Sequence, residues 1–141
     1  MSSLDSISAY ENFIYSLPNQ YPQILYSTLV LKRFGPHVGE VSGSIFFEKE
    51  VRLNIRELLD FRRERIKTYS YEVYRSRDKQ YWYDDQPHPN DPLLQPNHPH
   101  HKHIPPDLKH HRIPTPNIHF DQNNLSFLIQ EIIDEFITQS V

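Results

Sequence analysis

The chain has 141 residues, a formal charge of −3 with histidine neutral, 12 prolines, 9 histidines and no cysteine. That length suits one domain with a real core and is short for two. The charge supplies no whole-molecule attraction for nucleic acid, so such affinity must come from a local patch or from protonated histidines. Absence of cysteine excludes disulfides, thiolate catalysis and zinc sites with sulfur ligands, which fits a reducing cytoplasm. The opening "MSSLDSISAYENF" lacks a basic n-region and a continuous apolar run, and no stretch approaches about 18 apolar residues. A soluble, cytoplasmic chain without a membrane span is expected.

Residues 3–17 space Leu4, Ile7, Tyr10, Ile14 and Leu17 by three and four, with Ser2, Ser3 and Asp5 as capping candidates. This predicts a short amphipathic helix ended by Pro18. "QILYSTLVLKRF" reads as a strand and "GPHVG" as the turn of a hairpin. "EVSGSIFFEKE" and "VRLNIREL" alternate apolar and polar positions as half-buried antiparallel strands do. "IKTYSYEVYRS" and "QYWYD" continue the meander across a tight turn at residues 77–80, making about five strands. Between Leu53 and Ile66 a helical period (Leu53, Leu58, Phe61, Arg65) competes with the strand reading, and the boundary around residues 57–66 stays open.

From Pro87 to Pro116 lie nine of the twelve prolines and, with His119 just beyond, eight of the nine histidines. That proline density predicts a long functional loop over 87–119 without regular elements. A helix is expected over 123–139, where Leu125, Leu128, Ile129, Ile132, Ile133, Phe136 and Ile137 form one stripe capped by Asn123 or Asn124. The whole is read as a single α+β domain, residues 1–141, with both helices on one sheet face.

Four features could carry chemistry. Residues 48–79 hold ten Lys and Arg against seven acids, interleaved with tyrosines, followed by Trp82. Cations beside aromatics suit single-stranded RNA, and an ordinary solvated sheet face gives the same pattern. Arg56 and Arg65 are the phosphate candidates, and Tyr69, Tyr71 and Trp82 the stacking candidates. Glu57 is in phase with Val51, Leu53 and Ile55, so alternation aims it inward, as a general base or as a paired structural charge. Asp84 lies four residues before His88 and could orient its imidazole, although "YDDQPHP" also serves as a plain strand-ending turn.

The fourth feature is "NHPHHKHIPPDLKHHR", with six histidines in sixteen residues. If extended, it places His98 and His100 on one side and His101 and His103 on the other. Two imidazoles per face fall short of a metal shell unless Asp84, Asp85, His88, Asp91 or Asp107 completes it, so neither metal nor cofactor is expected. Lys102, Lys109 and Arg112 interleave with the imidazoles, and such a set binds phosphate and moves protons in metal-independent RNA cleavage. A linker tract remains the alternative.

At "FFEKEVRLNIRELLDF", "YSYEVY", "YWYDDQPHP" and "HPHHKHIPPDLKHHRIPTPN" the chain resembles the TumE-like toxins of toxin–antitoxin pairs, in particular small cyanobacterial proteins of that kind. Glu57, Tyr69, Tyr71, Tyr83, Asp84, Pro87, His88, Pro99, His100, His101, Lys102 and His103 fall on the family pattern. Trp82 stands where Arg is common, and Asp85 where Asn is. The resemblance implies a growth-inhibiting toxin acting on RNA and held by an antitoxin. Combined with the residues, the expected acid-base set is Glu57, Asp84, His88, His100, His101 and His103. The expected binding set is Arg56, Arg65, Tyr69, Tyr71, Trp82, Lys102 and Arg112. A non-enzymatic interaction module and a His/Asp metal protein are the alternatives. An open sheet edge would allow a homodimer.

Overall fold

In the computed structural model, which describes residues 2–86 and 99–138, a single antiparallel sheet wraps one face around two helices. Helix α1 (Ile7–Gln20) starts at Ser6, whose hydroxyl accepts the Ala9 N–H, and buries Ile7, Tyr10, Ile14 and Leu17. It does not stop at Pro18. Proline removes one ladder bond so near the end that Tyr21 N–H still closes the last turn on the Leu17 carbonyl, at 3.0 Å.

The strands are β1 (Ile24–Ser27), β2 (Val30–Arg33), β3 (Val38–Phe47), β4 (Val51–Asp60), β5 (Arg65–Arg75), β6 (Asp78–Asp84), β7 (His101–His103) and β8 (Arg112–Pro114). Their order is β1-β3-β4-β5-β6-β7-β8, with β2 also on β3. The sheet thus has eight strands where five were expected, for two reasons. The single strand expected over residues 23–34 is broken at Thr28, where Gly43 of β3 has φ +133 and a Cβ would come within 2.6 Å of the Thr28 carbonyl oxygen. β7 and β8 lie within the segment expected to be irregular. "HKH" contains no proline, so all three of its residues keep N–H groups for pairing between β6 and β8.

The open boundary at 57–66 resolves as a strand. β4 runs to Asp60, residues 61–64 turn, and the Asp60 carboxylate accepts the N–H groups of Arg62 and Arg63. The C-terminal helix is shorter than expected, α2 (Leu125–Ile132) followed by one π-helical turn (Ile133–Ile137) whose final carbonyl accepts from Lys49 Nζ at 2.9 Å.

One core joins α1, α2 and the inward residues of the strands, among them Leu53, Ile55, Tyr71, Val73, Leu128 and Ile132. Glu57 sits inside it, fully buried, accepting from the Tyr10 hydroxyl at 2.6 Å and the Tyr71 hydroxyl at 2.5 Å. Asn124 donates to the Tyr71 oxygen at 3.1 Å, so the network ties α1, β4, β5 and the start of α2 together. The helices cover the inner sheet face. Chemistry is therefore left to the sheet's end and its outer face. Among the described residues, no helix is long and apolar enough to cross a membrane.

Candidate active site

At the start of β5, the 61–64 turn and the segment before α2 border an open cleft of about 340 Å³ lined by Arg63, Arg65, His100, His119, Phe120 and Asp121. The Ile66 N–H donates to the Phe120 carbonyl at 2.7 Å, which holds the pre-helical segment against β5. His119 is fixed through its backbone, since its N–H donates to the Asn124 side chain at 2.9 Å and its carbonyl accepts from the same amide. The Arg65 guanidinium lies over the Phe120 ring, 5.2 Å from its centroid.

His100 is positioned by aromatic neighbours. Its ring stacks on Tyr69 and tilts against Phe120, with centroids 5.7 Å and 4.4 Å away. Nδ1 is 2.6 Å from the Tyr69 hydroxyl, leaving Nε2 outside that bond. Burial, aided by the charge of His119, holds the His100 pKa below its ordinary value. Two guanidinium groups and two imidazoles in one cleft can bind a phosphodiester and transfer protons to and from it.

A second constellation lies on the other side of the sheet. Register sets Asp84 opposite His101 and Trp82 opposite His103. Asp84 Oδ1 is 2.6 Å from His101 Nε2, Oδ2 is 3.3 Å from His103 Nε2, and the two Nε2 atoms are 3.1 Å apart. Burial alone would raise the Asp84 pKa, but the bonds to His101 and His103 outweigh it and hold the carboxyl well below the usual range. Trp82 donates Nε1–H to Asp84 Oδ2 at 3.1 Å and stacks on His103 at 3.9 Å.

The structure brings together only part of the residue set expected for RNA. Arg65 and His100 share the cleft, while Asp84, His101 and His103 form the separate cluster. Glu57 is sealed in the core with both oxygens engaged, so it lacks the solvent access a base needs, and burial raises its pKa against the two tyrosine bonds. Tyr71 is fully buried and Tyr69 nearly so, which removes both as open stacking surfaces. The Trp82 ring is covered by His103, with Lys79 Nζ 4.4 Å from its centroid. Lys102 faces α2, paired with Glu131 at 3.3 Å and set over Tyr81 and Tyr83, so it is not a cleft cation. Arg56 is exposed beside Glu40 and lines another pocket with Thr68 and Ser70. Arg112 sits on β8 opposite His103, its Nε buried without a hydrogen-bond partner among the described residues. His88 lies outside the described residues.

Arg63, His119 and Phe120 were not singled out from the sequence. They come from a turn and a pre-helical segment that only tertiary structure brings to His100. The available signal was the "RRER" turn and the lone His-Phe pair ahead of the C-terminal helix.

A family model described as Toxin TumE matches residues 16–139. No curated protein matches the chain, and no solved structure does.

Proposed function

Because the chain belongs to the TumE toxin family, whose toxins imply an antitoxin partner, we propose that it cleaves RNA in the Arg63–Arg65–His100–His119 cleft. The observation that carries this reading is the meeting of two arginines and two histidines around one open cleft. Arg63 and Arg65 bind the phosphate and offset the charge that grows on its oxygens. One imidazole takes the proton of the ribose 2′-hydroxyl as that oxygen bonds to phosphorus. The other protonates the 5′-oxygen as its bond to phosphorus breaks. The products are a 2′,3′-cyclic phosphate and a 5′-hydroxyl. Phe120, already a platform for Arg65 and His100, offers a flank for the adjoining base.

The test is a purified, antitoxin-free protein given an RNA and the same sequence with 2′-O-methyl riboses. Cleavage of the first alone, with cyclic-phosphate ends, supports the reading; equal cleavage of both contradicts it. One observation favours a second reading, a binding module without turnover. Leu25, Tyr26, Val30 and Phe34 leave at least half their surface exposed along β1, β2 and the turn after them, an apolar edge open to a protein partner. That reading predicts a stable complex and no cleavage of either RNA.

A further inference from the structure

The cleft leaves the cluster on the outer face of β6 and β7 without a role. Its hydrogen-bond inventory is specific. His101 Nδ1 lies 3.0 Å from the Pro99 carbonyl oxygen and His103 Nδ1 lies 2.7 Å from that of Leu108. A carbonyl only accepts, so each ring carries its hydrogen on Nδ1, and in the neutral ring Nε2 presents a lone pair. Both lone pairs converge on each other and on the Asp84 carboxylate, with one ligand atom from each residue within 4.8 Å of the others. A single proton can lie along one of these contacts. A cation at the centre satisfies all three.

We propose that Asp84, His101 and His103 form a binding site for a divalent late-transition ion of the Zn²⁺ class, with at least one position open to another donor. Bonds of about 2.0–2.1 Å place tetrahedral ligands about 3.3 Å apart. The observed 3.1 Å and 3.3 Å meet that spacing, and the 2.6 Å pair has to open by only about 0.7 Å. Two imidazoles and a carboxylate select zinc, cobalt or nickel over magnesium and calcium, which prefer all-oxygen shells. The outer contacts are those of a metal site: each imidazole donates its remote N–H to a carbonyl, and Trp82 orients the carboxylate. The sequence left the third ligand to Asp84, Asp85, His88, Asp91 or Asp107 and no metal was expected; the β6–β7 register brings Asp84 to His101 and His103.

The ion takes no part in the proton transfers of the cleft. It fastens β7, only three residues long, to β6 and, through His103 and the Leu108 carbonyl, to the loop that closes with Ile104 N–H on the His111 carbonyl. His100 immediately precedes β7, so the same clip fixes its approach to the cleft.

The experiment uses untagged full-length protein, prepared without a metal column, stripped with chelator and titrated with Co²⁺ and then Zn²⁺. The expected result is one equivalent of cobalt with the intense visible absorption of a tetrahedral site, displaced by zinc, and a zinc-dependent rise in Tm. Asp84→Asn and His103→Ala should each weaken binding beyond the roughly 10–100-fold cost of losing an outer-shell partner. His110→Ala/His111→Ala, at exposed histidines outside the site, should leave it unchanged. Sub-stoichiometric binding by the wild type overturns the proposal whatever the variants do. So does binding that survives both site variants in folded form, or that follows His110 and His111.

Discussion

His100 and His101 are consecutive in the chain and serve opposite sides of the sheet. His100 bonds the hydroxyl of Tyr69, which shares the core face with Tyr71, at 2.6 Å. His101 bonds Asp84, which pairs in register with Ser70 on the outer face, at 2.6 Å. Strand alternation thereby divides one histidine-rich tract between two sites with different chemistry.

Arg65→Ala and His119→Ala should each lower RNA cleavage by about 100-fold, the scale of losing one charge-stabilising donor or one acid-base group. Arg65 is exposed and His119 only half-buried, so folding should survive. Single-turnover rates on a short RNA, with circular dichroism as the folding control, check this; unchanged rates contradict the cleft assignment.

Glu57 gives a stability prediction with a defined sign. Burial raises its pKa in the folded protein, so the native state holds that proton more tightly than the unfolded chain. The stability it contributes is fully present below the ordinary Glu value of about 4.3 and is lost as pH rises through the raised folded value. Glu57→Gln should remove this component, so wild type should lose stability relative to the variant as pH rises. Parallel denaturation curves from pH 4 to 9 would contradict it.

The Lys102–Glu131 pair is mostly buried, and Tyr83 also donates to Glu131. Lys102→Met should cost about 2–3 kcal/mol by stranding the carboxylate, and Lys102→Met/Glu131→Gln should recover part of that. Urea unfolding of the double-mutant cycle measures the coupling, and additive effects would contradict it.

Gly43→Ala should destabilise by more than about 2 kcal/mol, because φ +133 and the 2.6 Å approach of the Thr28 carbonyl both oppose a Cβ. Gly35, with open space around it, should tolerate alanine better despite φ +87. Similar losses of Tm at the two positions would contradict the steric account.

The parts of the fold legible in the sequence are those where burial imposes a period. Tyr10, Ile14 and Leu17 mark α1; Leu53, Ile55 and Glu57 mark the inward face of β4; Leu125, Leu128 and Ile132 mark α2. The break at Thr28 was not legible, since it comes from a contact with Gly43 across the sheet. Nor was β7, because local proline density says nothing about the partners tertiary structure offers to His101–His103. The inward aim of Glu57 could be read from alternation, but its tyrosine partners could not, Tyr10 being 47 residues away. Arg65 and His100 were found as isolated candidates. Their meeting depends on the Ile66–Phe120 backbone bond, which no spacing rule encodes.

The most direct test of the central claim is inducible expression of wild type and Arg65→Ala/His119→Ala in a host lacking the antitoxin, following growth and total RNA. Growth arrest with RNA fragmentation is expected for the wild type, and neither for the variant at equal soluble levels. Arrest and fragmentation that persist in the variant, or arrest with intact RNA in the wild type, would contradict it.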